Sequence, residues 1–426
     1  MINFSSDILQ EQIAEAIKTL DYLTGDIEDI QFDDLLVDGD TEHDVTIGEE
    51  SDVCIYIGED DYPSLTVKQF IELAHIQNEI SINKDQSYAK SHNEVFFLLD
   101  SFDYETSEIL DNTFKENPRS YTRNQKSTSA LTKSVKVKAK TYTCSLFNGF
   151  CFFHSLVEKS GDFDKYLPSY SPYDYFVKIS CDQELDMEEA DALAHAYVFE
   201  LQSSFNIVLP FSPGRSAPYA TDRSDESLWG LESKLFPLIY GIGASELLSL
   251  YNTAKTTNDL DFKILGFTKV IEYIAPTISQ KTLIEQVSLK LTSLNVFTPT
   301  AKFISELGAV YEKHRNTSNK DSELIKLSIV TAVSLEEIWD KTPNFIKGKQ
   351  TSLPEEASQI AFLEKISDCI YNTRNEIAHA KANYEKKGNE CPQKHKAAFC
   401  EMLDLISVRC IRWFAMQPEE KRVVMN

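Results

Sequence analysis

Long apolar runs are missing from the 426-residue sequence: none approaches the roughly 20 residues that span a bilayer, so no membrane partner is expected. The first residues, MINFSSDILQEQ, lack the basic start and unbroken apolar core of a secretory signal, which points to a cytoplasmic location. The eight Cys residues (54, 144, 151, 181, 369, 391, 400, 410) form no CxxC pair. Several sit in apolar runs such as SLFNGFCFF, as reduced, buried thiols do. This excludes a disulfide-stapled miniprotein. Cys151 and His154 form a single CFFH pair, and without a second pair nearby the expected role is structural rather than metal binding. Phosphate-cradling loops are absent too. SPGRS (212–216) and GIGAS (241–245) have neither the length nor the terminal Lys-Ser/Thr of a P-loop, and neither follows the dinucleotide-binding pattern. No cofactor is expected.

Basic residues are in short supply: 42 Lys+Arg stand against 67 Asp+Glu, a formal charge of -25. Non-specific coating with nucleic acid is excluded unless the charge is unevenly spread, and it is. Residues 1–60 carry 18 acidic residues and one Lys, whereas residues 311–426 carry 18 Lys/Arg and 17 Asp/Glu. A polyanion would meet the C-terminal end. The acidic N-terminal stretch reads either as a solvated face or as a charge-mimic surface for a basic partner.

With 42% apolar and 26% charged residues the chain has globular composition, enough for about two to three domains. Apolar residues at Leu9, Ile13, Ala16, Ile17 and Leu20 predict a helix over 7–20. A β-rich acidic subdomain or mobile loops are expected over 26–62, a helix over 66–79, a strand over 94–99 and a long polar loop over 111–130. Strands near 141–151 and 174–180 and a helix over 187–202 complete this region. Its aromatic stretch 141–176 contains only two Lys, so a β-rich core or a protein-binding surface fits better than a base-stacking platform. Three Pro and one Gly in 210–227 (PFSPGRSAPYATDRSDES) place a boundary near 215–230. Beyond it helices are predicted over 244–257, 260–276, 279–292, 299–313, 322–340, 354–379 and 394–416. The expected fold is therefore mixed: an α+β region, 1–225, followed by an all-α helical bundle, 230–426.

The segment 364–384, EKISDCIYNTRNEIAHAKANY, sets Arg374, Asn375 and His379 at the end of a strongly apolar helix. At about 100° per residue Asn375 and His379 share a face, while Arg374 diverges from His379 by about 140°, a gap that a long guanidinium side chain can close. Two readings stand. In one the trio forms a small cationic site: an Arg fork for a phosphate, an Asn to orient it, and an imidazole to move a proton, sufficient in type for phosphodiester cleavage without metal. In the other it is a helix end, with Arg and His complementing the macrodipole and Asn capping locally.

The stretch IYNTRNEIAH resembles the Arg, polar residue, three variable residues, His motif of HEPN-domain proteins, in particular the bacterial abortive-infection type, in which such a helix closes a four- or five-helix bundle. Arg374, Asn375 and His379 match the motif positions. FKILGFTKVIEYI resembles the preceding helix of those proteins, with Glu272 at the matching acidic position, and the resemblance covers about 180 residues, 240–420. It implies a metal-independent endoribonuclease of an anti-phage or toxin-type defence system, acting on tRNA or mRNA, whose composite site forms in a homodimer. His379 would handle protons at the ribose 2′-hydroxyl or the leaving oxygen, Arg374 would stabilise phosphate charge, and Asn375 would position one of them. Residues 1–225 would sense a phage-derived or cellular trigger. Lys381, Lys386 and Lys387 are the expected RNA-backbone contacts. His395 with Lys394 and Lys396 reads as a solvated basic cap or a further groove contact, and Glu336 and Glu337 are placed to pair with Arg374. The alternative is a non-catalytic bundle serving dimerisation and partner binding.

Overall fold

Alternating apolar residues in KTYTCSLFN and YFVKISC build two neighbouring strands, Lys140–Asn148 and Tyr175–Cys181, at the centre of the N-terminal half. The computed structural model describes residues 2–24, 31–32, 45–55, 63–100, 104–115, 128–163, 167–215, 228, 230–318, 320–379 and 386–424. It divides into two units, Met1–Leu238 and Ile239–Asn426, the first mixed α+β and the second largely helical. Most of the boundary expected near 215–230, and most of the acidic 26–62 stretch, lie outside the described residues.

Six antiparallel strands form the main sheet of the first unit, in spatial order Ser81–Ile82, Tyr88–Lys90, Glu94–Leu98, Tyr175–Cys181, Lys140–Asn148 and Thr128–Val137. Register sets Phe147 opposite Phe176 and Phe96 opposite Lys178. This face carries an aromatic cluster, with Phe96 centred 4.9 Å from both Phe147 and Phe152, and Phe153 5.1 Å from Phe176. Each such pair contributes about 0.5–1.5 kcal/mol beyond area burial. The cluster joins the buried faces of helices Asp7–Thr19, Val67–Ile76 and Phe152–Ser160 into one core. The aromatics of 141–176 are thus core. Residues of the alternate parity, among them Val177 and Ile179, are buried as well, and helix Met187–Phe205 packs on these strands.

His154 is wholly buried in the aromatic cluster. Its Nε2 lies 3.2 Å from Asp174 Oδ2, and its Nδ1 accepts from the Cys151 backbone N–H at 3.1 Å. Burial pushes the Cys151 thiol far up, so it is an un-ionised, packed group. Strand Thr128–Val137 carries a bulge against Lys140–Asn148, where Leu131 adopts φ 54° and its carbonyl accepts from Tyr197 Oη at 2.9 Å.

One expectation for this half changes. Residues 111–115 close a helix, Tyr104–Lys115, and 128–130 open a strand, so the polar loop expected over 111–130 is confined to at most 116–127, which lies outside the described residues. The helix survives its polar composition because Ile109, Leu110 and Phe114 turn inward at helical spacing.

The second unit is organised on one 32-residue helix, Leu260–Leu291. Asp259 caps it, its carboxylate accepting from the N–H groups of Asp261 and Phe262. Ile264, Phe267, Ile271, Ile274 and Ile278 recur every three or four residues and are buried. They meet the equivalent stripe of helix Lys396–Ala415, which includes Phe399, Leu403, Ile406 and Cys410. Helices Ala244–Thr256 and Asp321–Ala332 pack on the same helix, and Glu356–Ala378 packs on Asp321–Ala332. A polar tie crosses the core: Asp404 accepts from Lys255 Nζ and from Tyr251 Oη, each at 2.7 Å.

The helices predicted over 260–276 and 279–292 are one element, with Pro276 inside it. Proline removes one N–H from the ladder and costs about 3 kcal/mol in a helix interior, a loss offset here by burial of Ile274, Ala275 and Ile278 on a continuous face. The single helix predicted over 322–340 breaks instead. Val333 and Ser334 are extended, and this lets Leu335 and Ile338 enter the core from a short separate turn, Leu335–Ile338.

Candidate functional site

Helix Glu356–Ala378 carries the motif residues to its C-terminal end. His379 caps the helix with φ −109° and ψ 18°, and its N–H donates to the Asn375 carbonyl at 3.0 Å. The backbone therefore leaves helical geometry at His379, where the regular 100° steps end. Arg374, one turn earlier, reaches across to the long helix, where its Nε lies 3.4 Å from Glu272 Oε1, and its Nη1 donates to Asn375 Oδ1 at 2.9 Å. The contact with Glu272 is an ion pair without hydrogen-bond geometry, since Glu272 Oε1 has no hydrogen-bond partner. Burial raises the Glu272 carboxyl above its ordinary value, and Arg374 opposes that shift.

Arg374, Ala378 and His379 form one side of a groove of about 790 Å³. Helix Ala244–Thr256 supplies the other side with Leu250, Thr253 and Ala254, and Phe262, Leu265, Lys269 and Glu272 line it from the long helix. At Gly266 a methyl group would fall 2.7 Å from Ala254 Cβ, so glycine is what lets these two helices approach at the groove. The groove thus presents two cationic side chains, Arg374 and Lys269, an imidazole and a half-buried carboxylate. The remaining lining sets the hydroxyls of Ser249, Thr253 and Thr257 among apolar residues, with Phe262 exposed.

Arg374 and His379 thus share the groove, while Asn375 stands behind Arg374 as its hydrogen-bond partner. Lys381 lies outside the described residues. Lys386 pairs with Glu376 at 2.6 Å, and Lys387 lies over the Tyr371 ring at 5.8 Å; neither lines the groove. Lys269 and Phe262 do, and the sequence reading passed over both. Their one signal is spacing, since Lys269 precedes Glu272 by three residues and Phe262 precedes Lys269 by seven.

The pairing expected of Glu336 and Glu337 with Arg374 is corrected: Glu337 Oε2 lies 3.1 Å from Arg409 Nε, and Glu272 takes Arg374 instead. The basic cap expected at 394–396 is not simply solvated either. Lys396 is buried against Asp261, and His395 stacks on Phe345 at 5.3 Å. Among the described residues no group of three or more His, Cys, Asp or Glu is placed to hold a metal ion, and no helix is long and apolar enough to cross a membrane. No known family model, curated protein or solved structure matches the chain.

Proposed function

We propose that the groove bearing Arg374 and His379 is the active site of a metal-independent endoribonuclease, and that the N-terminal unit regulates it within a bacterial defence or toxin-type system. The single observation that carries the reading is that two residues five apart in sequence, a guanidinium and an imidazole, line one groove of about 790 Å³. In this reaction the ribose 2′-oxygen attacks the adjacent phosphorus, the 2′-proton passes to a base, and the 5′-oxygen leaves with a proton returned to it. His379 supplies the proton-transfer group. Arg374 stabilises charge on the phosphate oxygens, and Asn375 holds the guanidinium through its 2.9 Å hydrogen bond. Glu272 sets the side from which Arg374 approaches.

The test is incubation of full-length protein with a mixed tRNA and mRNA pool in EDTA, with wild type beside Arg374→Ala and His379→Ala. Cleavage that leaves 2′,3′-cyclic phosphate ends and is lost in both variants supports the assignment. Cleavage retained at wild-type rate in either variant removes that residue from the mechanism. A second reading, a non-catalytic bundle that binds partners, draws on the engagement of Arg374 by Glu272 and Asn375, which gives the residue a structural role without substrate. Absence of RNA turnover, with folding lost in Arg374→Ala, would favour it.

A further inference from the structure

Beyond residue 280 the long helix and its successor, Ala301–Ser318, form a hairpin in which Phe303 is the one buried residue between 281 and 316. Lys290 and Glu306 tie the two helices at 2.8 Å. The hairpin is nevertheless rich in large apolar side chains that face out, among them Ile284 and Leu291, Ile304 and Tyr311, with Leu294 and Phe297 at the connecting turn more than 80% exposed; Leu289, 75% exposed, lies off this stripe. The members of each helical pair are seven residues apart, so each pair lies on one face, as in the seam of a coiled coil. Such a stripe costs solubility unless something covers it.

A second observation falls on the same face. Gly308 stands four residues after Ile304 and three before Tyr311, in the middle of the stripe. Glycine there costs about 1 kcal/mol of helix stability relative to alanine. Among the described residues no contact requires it, because a methyl group at Gly308 would meet nothing within 4 Å. Gly266 presents the opposite case, packed against Ala254. A glycine with open space beside it, flanked by exposed Ile and Tyr, leaves room for another helix backbone to come close.

We infer that the hairpin 281–318 is a self-association arm, and that its apolar face is covered by the same face of a second copy of this chain, the two hairpins completing a four-helix bundle with Gly308 at their closest approach. Three features commit the occupant to a second copy. The six named side chains are 47–82% exposed and present on the order of several hundred Å² of apolar surface, a large share of the roughly 800 Å² that each partner of a standard interface contributes. The charge also fits: in a chain of formal charge -25 the arm carries five Lys/Arg and three Glu, so two copies meet where their mutual repulsion is weakest. Finally, a two-helix hairpin with one apolar face is half of a bundle, and a two-fold axis supplies the other half with matching length and spacing. This surface is separate from the Arg374 groove and the inference does not depend on the nuclease reading.

The experiment is sedimentation equilibrium of the full-length protein, with circular dichroism as the check on folding. Wild type is expected at twice the 48.5 kDa chain mass. Gly308→Leu, which favours the helix of a single chain, and Phe297→Ser are each expected to weaken association at least tenfold with unchanged helical signal. Gly308→Cys is expected to give a covalent dimer on mild oxidation of native protein, a readout that needs no loss of structure. A wild-type protein that stays monomeric at about 100 μM, where even a weak specific dimer would form, overturns the inference. So does a dimer that keeps its affinity in both substitutions and gives no cross-link.

Discussion

Arg374 Nε lies 3.4 Å from Glu272 Oε1, and each side chain is only about a quarter exposed, so the end of one helix is tied to the middle of another by a partly desolvated pair. Burial raises the Glu272 carboxyl above its ordinary value, which means that the folded protein holds this proton more tightly than the unfolded chain does. The contribution of Glu272 to stability therefore declines as pH rises from the ordinary carboxylate range through the raised value. Urea unfolding at a series of pH values is expected to show this decline in wild type and not in Glu272→Gln. Arg374→Ala removes the opposing charge and moves the window to higher pH. Equal slopes in all three proteins would refute the coupling.

Gly243 and Gly266, both in the helical unit, are fixed by geometry. Gly243 has φ 73°, and a methyl group there would fall 2.9 Å from Val424 Cγ2, so Gly243→Ala combines left-handed strain with a clash. Gly266→Ala drives a methyl group into Ala254. Each is expected to cost about 1–3 kcal/mol, read as a lowered urea midpoint, and Gly266→Ala should also narrow the groove. Gly308→Ala, by contrast, is expected to stabilise the isolated chain.

Asp404 accepts from Lys255 and Tyr251 across the core, and Lys255 is 8% exposed. Asp404→Asn removes the carboxylate charge that faces the Lys255 ammonium and is expected to cost about 2–3 kcal/mol, discounted from the cost of breaking a fully buried pair because Asp404 is partly exposed. Asp404→Asn combined with Lys255→Met should recover part of that loss. A double-mutant cycle measures it, and additivity would show that the two side chains do not interact.

In the sheet unit, Tyr197→Phe deletes the hydrogen bond to the Leu131 carbonyl at the bulge. A buried acceptor left without its donor costs about 1–3 kcal/mol, and thermal unfolding should register the drop.

The helices were legible where apolar residues recur every three or four positions, as in 187–202 and 394–416, because one buried face imposes that period. Pro276 misled because a sequence shows the lost hydrogen bond but not the core face that continues beyond it. Val333 misled in the other direction, since nothing local marks the extended step that turns Leu335 inward. At the candidate site, the proximity of Arg374 and His379 to one groove was within reach of helical geometry, although His379 leaves the helix at its cap, where the 140° estimate no longer applies. The choice of Glu272 over Glu337 as the partner of Arg374 was not readable, because both carboxylates sit on helices whose packing order only the tertiary structure fixes.

Seven of the eight cysteines, all but Cys54, are free and buried, and burial pushes Cys144 and Cys410 up to about 12. At neutral pH neither holds an appreciable thiolate population, so an alkylating reagent reacts with them only when the surrounding structure opens. Cys144 belongs to the sheet unit and Cys410 to the helical unit. The folded chain therefore carries a built-in clock in each half: peptide-resolved alkylation of the unmodified protein, followed over time, reports the opening rate of the two units separately and without any engineered probe.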